Sequence, residues 1–220
     1  MNPDILQLFF TPLLISKESY KISEKEMNFI QKLKKTKYSE RHLSESFSIL
    51  NEKSLLSIKE FILKHIDYYA YEYLKINKST KFYITQSWVT YSDTRESHPA
   101  HSHPNSVFSG VFYFKSARTP IKFSVDRKDF LLTFQHDYTK VQNSNSFMVF
   151  PHSGMLVLFP SNLKHEVPPN ESSDQRISLA FNTFAYGNIG ENADNLILIN
   201  SYLLSSFELN IFISILMKYY

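Results

Sequence analysis

Three histidines carry the most specific chemistry in this chain. His101 and His103 stand two apart in SHPAHSHPNSVFSGVFYF, and His165 follows the apolar run GMLVLFP in GMLVLFPSNLKHEV. In an extended segment, residues i and i+2 project from one face. Both imidazoles of the HxH pair can then meet one metal ion. Two surface histidines in a loop are the plain alternative. The chain has no Cys, so a metal site must use imidazole and carboxylate, a palette that suits non-haem iron, manganese or zinc. The lack of Cys also excludes disulfides, a thiolate nucleophile and an iron–sulfur cluster.

Eleven residues after His165, Arg176 opens the run RISLAFN. Read as a strand, this run puts Arg176, Ser178 and Ala180 on one face and Ile177, Leu179 and Phe181 on the other. If the less bulky face looks inward, a buried guanidinium needs an anion. A ligand carboxylate would satisfy it bidentately, with the Ser178 hydroxyl assisting. An Arg at a strand edge facing water is the alternative.

These groups need rigid elements to hold them. Residues 23–36 read as a helix, with Ser23 and Glu26 in a capping-box pattern and Met27, Ile30 and Leu33 at helical spacing. Lys32, Lys34, Lys35 and Lys37 would sit near its C-terminal end. Residues 54–76 read as a second helix with the stripe Leu55, Ile58, Ile62, Ile66, Tyr69 and Tyr73. Beyond position 80 the pattern changes to short β-rich runs: KFYITQSWVTY, VFSGVFYF, PIKFSV, SFMVF, GMLVLFP and RISLAFNTF. Turn signals separate them, among them HPNS, DRKD and PPNESSD. The expected fold is mainly β with N-terminal helices, a sandwich or barrel.

Composition narrows the function. The chain has 220 residues, 43% of them apolar, enough for one domain with a real core. Its net charge of +3 gives no case for a nucleic acid or an anionic membrane as partner. Only four Gly occur, and no phosphate-binding glycine loop is present. The tail NLILINSYLLSSFELNIFISILMKYY is the most apolar stretch, but Asn200, Ser201, Ser205, Ser206, Glu208 and Asn210 interrupt it. It reads as a packed element or a homo-oligomer contact rather than a membrane span. With no secretory pattern at the start, a cytoplasmic protein is expected.

The order HxH, then SGVFYF, then FP…H, then R-x-S resembles the double-stranded β-helix (jelly-roll, cupin-like) oxygenases that depend on Fe(II) and 2-oxoglutarate. Within that superfamily, SWVTY, HSHPNSVFSGVFYF, GMLVLFPSNLKHEV and RISLAFN look most like a subgroup from marine bacteria and their phages. The resemblance covers roughly residues 5–190. It implies a single oxygenase domain over 1–220: helical support in 1–79, the β-helix core in 80–190 and a tail in 191–220. It implies His101, His103 and His165 as metal ligands, and Arg176 with Ser178 as the clamp for the distal carboxylate of 2-oxoglutarate. Tyr113 would reach the same cosubstrate or serve the core, and Asn182 would line the pocket. Ser109 and Gly110 would serve close packing. The implied reaction couples oxidative decarboxylation of 2-oxoglutarate, a small-molecule cosubstrate, by O2 to C–H oxidation of a substrate that the sequence does not name.

The departure is His103. The superfamily carries HxD or HxE, giving two His and one carboxylate. Asp126 or Glu96 could supply a carboxylate instead, and His98 is a further candidate ligand. His136 and His152 read as loop residues without a role. Arg95, Arg118, Arg127, Lys128 and Lys140 flank the expected mouth, as solvated charges or as contacts for an anionic substrate. Two other functions fit the same residues: a cupin-like three-His metalloenzyme that does not use 2-oxoglutarate, and a non-catalytic β-sandwich binding module.

Overall fold

The computed structural model describes residues 10–39, 41–126, 144–190 and 196–198. Twelve strands and two α-helices lie in these segments: β1 (Leu14–Ile15), α1 (Glu24–Lys32), β2 (Lys35–Tyr38), β3 (Arg41–Ser44), α2 (Leu56–Asp67), β4 (Thr80–Ser92), β5 (His98–His101), β6 (Phe108–Lys115), β7 (Ile121–Ser124), β8 (Ser146–Val149), β9 (Leu156–Pro160), β10 (Lys164–Val167), β11 (Arg176–Ile189) and β12 (Leu196–Leu198). The large sheet runs β1-β9-β6-β11-β4-β3-β2, with β12 also on β11, and the small sheet runs β5-β10-β7-β8. Every pairing within the two sheets is antiparallel. Two such sheets face to face make a double-stranded β-helix.

Alternation along the strands builds two cores. On β11, Ile177, Leu179 and Phe181 pack outward with Ile30, Ile58, Ile62 and Ile66, so the helices cover the outer face of the large sheet. On β6, Phe108, Phe112 and Phe114 join that layer, while Val111 and Tyr113 point the other way. There they meet Ile121, Phe123, Val149 and Leu163 between the sheets. Gly110 on β6 is required by close packing. A Cβ there would lie 2.6 Å from Leu158 Cδ2 and closer still to Phe181 Cζ.

The helices largely follow the sequence pattern. Ser23 and Glu26 close the full capping box at the start of α1. The expected extension to residue 36 fails: α1 ends at Lys32, and Lys35 and Lys37 lie on β2. Pairing with β3 supplies that segment's backbone hydrogen bonds instead. The second helix continues beyond Asp67 as a π-helical turn over Tyr68–Tyr73. That change of winding shifts the stripe, so Tyr69 is buried while Tyr73 is half exposed. The region before residue 79 also holds three strands that extend the large sheet, which helical periodicity did not reveal. Of the tail, only Leu196–Leu198 is described, paired with β11; the rest lies outside the described residues. No helix among the described residues is long and apolar enough to cross a membrane.

Candidate metal and cosubstrate site

β5 and β10 are neighbours, and their register puts His101 directly opposite His165. Cross-strand partners on one face have Cβ atoms about 5 Å apart, and the two ring centroids stand 4.3 Å apart. His103 reaches them differently from the expectation. β5 ends at His101, so the HxH pair is not held by strand alternation. Instead, the His103 N–H donates to the Ser161 carbonyl at 2.8 Å, pinning His103 to the segment between β9 and β10. Its ring stands 5.0 Å from that of His101 and 5.1 Å from that of His165. One nitrogen from each ring lies within 4.8 Å of the other two.

The imidazoles are oriented for ligation. His101 Nδ1 is 2.9 Å from the Pro99 carbonyl, and His165 Nδ1 is 2.9 Å from the Leu163 carbonyl. A carbonyl can only accept, so each Nδ1 carries the proton and each Nε2 keeps its lone pair. Burial pushes the His165 pKa down to about 4, against the opposing pull of the Leu163 carbonyl; His101 and His103 lower it further. Burial, then His101, takes His103 to about 4 as well. Neutral rings need lose no proton to bind a metal. Phe159 and Phe123, with ring centroids 4.7 and 6.0 Å from His165, form an apolar wall behind it.

The inward face of β11 carries Arg176 and Ser178, both 3% exposed. Ser178 sits between Thr90 on β4 and Tyr113 on β6. The Arg176 guanidinium lies 5.3 Å from the centre of the Tyr113 ring. Among the described residues, neither Arg176 Nε nor the Tyr113 hydroxyl, both buried, meets a partner in full hydrogen-bond geometry. Burial raises the Tyr113 pKa, and the charge of Arg176 opposes it. The one ion pair among the described residues joins Lys122 and Glu166, so no carboxylate neutralises Arg176 there. A buried cation beside a buried phenol on the large sheet, and three unprotonated imidazoles gathered at the small sheet, fit a ligand carboxylate and a metal ion.

Other expected residues sort out clearly. Asn182 accepts from Ser109 Oγ at 2.8 Å, and Ser109 also bonds Ser161 at 2.8 Å; this network backs the strand pair and ends at the residue that holds His103. His98 does not join the triad. Its ring stacks on His101 at 4.0 Å, and its Nε2 accepts from Arg41 Nη2 at 2.7 Å. Glu96 clusters with His42 and Asp93, away from the triad. Asp126 does not belong to the cluster of three histidines, but it lines a cleft of about 410 Å³ with Thr11, His101, Asn162 and Lys164. His152 lies in a loop beside Ser19. His136, Arg127, Lys128 and Lys140 lie outside the described residues.

Two residues escaped sequence reasoning. Asn170, fully buried in the turn before β11, bonds the Ser92 and Asp174 carbonyls through Nδ2 and accepts from Thr119 Oγ1 and the Ser172 N–H. It ties the end of β4 to the start of β11, where Arg176 stands. A lone Asn in a turn gives no signal of this. Arg41, the second, lies on a strand that periodicity did not predict.

The fold and these side chains define a class: a double-stranded β-helix that carries a cluster of three histidines. Residues 86–182 match the family model described as "Putative 2OG-Fe(II) oxygenase", a segment that contains all three histidines and Arg176. Among solved structures, an oxidoreductase of the 2OG-Fe(II) oxygenase family from Burkholderia pseudomallei is 11% identical, with a TM-score of 0.54 over 78% of this chain and 83% of its own. HygX from Streptomyces hygroscopicus, with nickel and 2-oxoglutarate bound, is 9% identical, with a TM-score of 0.53 over 79% of this chain and 82% of its own. A prolyl-4-hydroxylase from Pseudomonas putida is 12% identical, with a TM-score of 0.51 over 78% of this chain and 92% of its own. These likenesses establish the shared fold. No curated protein matches the sequence.

Proposed function

We propose that the chain is a non-haem Fe(II)- and 2-oxoglutarate-dependent oxygenase that oxidises a C–H bond of its substrate, with His101, His103 and His165 as metal ligands and Arg176, Ser178 and Tyr113 as the cosubstrate's cradle. The observation that carries the reading is the convergence of three neutral imidazoles from two segments, together with a buried arginine on the inner face of the large sheet that has no acidic partner among the described residues. When bound, ferrous iron supplies dioxygen activation coupled to decarboxylation of the keto acid. The protein's own part is positional. The Pro99 and Leu163 carbonyls fix two ring tautomers. Arg176 offers fixed donors to a carboxylate, with the Tyr113 hydroxyl beside it. Phe123 and Phe159 keep water from the ring of His165. A ligand set of three neutral rings leaves the metal one charge more positive than two His and a carboxylate would, which favours anionic ligands.

The duty of Arg176 separates this function from a three-His metalloenzyme without 2-oxoglutarate. A chain lacking cysteine, with a ferrous cofactor, fits the reducing cytoplasm, and the motif stretches named above support the narrower marine bacterial and phage grouping. The deciding experiment is anaerobic titration of the Fe(II)-loaded protein with 2-oxoglutarate. A visible charge-transfer band is expected, absent in His165→Ala and weakened in Arg176→Ala. Full turnover by Arg176→Ala would transfer the reading to the alternative enzyme.

A further inference from the structure

The geometry points to Arg41, steadied by His98, as a second anion-binding group of this site, one that takes a carboxylate of the primary substrate; this rests on the oxygenase reading above. Arg41 is 6% exposed on β3. The register His42↔Tyr91 sets Arg41 beside Ser92 on β4, and Ser92 pairs on its other side with Arg176. The two arginines therefore flank one residue on the same face of the large sheet, about 10 Å apart at two strand spacings. That face is the inner one, because Arg41 Nη2 donates across the sandwich to His98 Nε2 on β5 at 2.7 Å. His98 in turn stacks on His101, so Arg41 stands two contacts from the triad.

Nothing among the described residues neutralises Arg41. Its Nε is buried without a hydrogen-bond partner. Glu96 attracts it but forms no ion pair, and its carboxylate instead accepts from the Asp93 N–H at 2.7 Å. The exposed Tyr38 ring, 5.5 Å from the guanidinium, adds only a cation–π contact. Holding His98 needs one donor, not a full charge, and an unpaired buried cation is costly. Charge balance gives the same result. A dication on three neutral rings, with two guanidiniums on the inner face of the large sheet, leaves two positive charges after the dianion 2-oxoglutarate has bound. The cosubstrate's two carboxylates are spoken for by the metal and Arg176, and one carboxylate cannot span both arginines.

The test uses the full chain loaded with Ni(II), which is redox-silent, and saturated with 2-oxoglutarate. Propionate and its neutral isostere propionamide are titrated in, followed by melting temperature and by titration calorimetry. Propionate is expected to bind the wild type and propionamide not to. Arg41→Met should weaken propionate about tenfold or more and leave 2-oxoglutarate within about twofold, with Arg41→Lys in between. Equal binding of the two probes to the wild type, which needs no variant to fold, overturns the proposal. So does unchanged propionate binding in Arg41→Met. Loss of 2-oxoglutarate binding in Arg41→Met would assign Arg41 to the cosubstrate instead. Absence of any 2-oxoglutarate response in the wild type would sink the oxygenase reading itself, a separate result.

Discussion

His101 and His165 are direct cross-strand partners, and each is turned by the carbonyl of the residue two positions before it, Pro99 and Leu163. The same local device is thus used twice, on two strands, to aim two lone pairs at one point. His103 lacks it and depends on its backbone bond to Ser161. Replacing His165 or His101 by Ala should weaken Ni(II) or Fe(II) binding by about 100-fold or more in calorimetric titration. His103→Asp should retain binding, because a carboxylate restores the charge that the usual set carries. Metal affinity unchanged in His165→Ala would remove the triad from consideration.

Trp88 is the single tryptophan of the chain, and its ring centroid lies 6.0 Å from that of His103. Paramagnetic Ni(II) or Fe(II) bound at the triad should therefore quench its emission. His165→Ala should abolish the quenching at the same metal concentration. Quenching that persists in that variant would place the metal elsewhere.

Arg176 illustrates a conflict between stability and binding. A buried guanidinium without an acidic partner among the described residues costs the ligand-free fold free energy. Arg176→Met should leave the melting temperature of the ligand-free protein equal or higher. The same change should raise the 2-oxoglutarate requirement by about tenfold or more, since a charge-assisted bidentate contact is lost. A large drop in melting temperature would mean that Arg176 is structural.

The buried imidazoles also set an acid limit for the metal-free protein. Burial, then His101 and Arg41, pushes His98 down to about 2, and His103 and His165 fall to about 4. An unfolded histidine titrates near 6.5. Between that value and about 4, the unfolded chain takes up protons that the folded chain refuses. Stability is therefore fully present above 6.5 and is lost as pH falls. Thermal melts of metal-free protein from pH 7 to 4.5 should show falling midpoints, with a shallower slope in His98→Phe.

Two packing changes test the frame. Gly110→Ala meets Leu158 and Phe181 within the core and should destabilise by about 1–3 kcal/mol. Asn170→Ala strands the buried groups it serves and should cost about 2–4 kcal/mol in denaturant unfolding. It should also loosen 2-oxoglutarate binding, because Asn170 anchors the turn that leads to Arg176.

Alternation and composition alone determined much of this protein. Period-two patterning made RISLAFN a strand and put Arg176 and Ser178 on one shared face, because side-chain direction in a strand depends on parity; that this face is the inner one was decided by the packing of the sheets. The capping box fixed the start of α1 for an equally local reason. The absence of Cys limited any metal to imidazole and oxygen ligands. The rest was decided by pairing between distant segments. Lys35–Tyr38 became a strand because β3 was available to it, and Tyr73 left the buried stripe when the helix widened after Asp67. His98 was a candidate ligand until Arg41, some 57 positions earlier, occupied its Nε2. His103 joined the triad through a backbone bond to Ser161 rather than through strand geometry. Such contacts depend on register and sheet order, which no local window of the sequence contains.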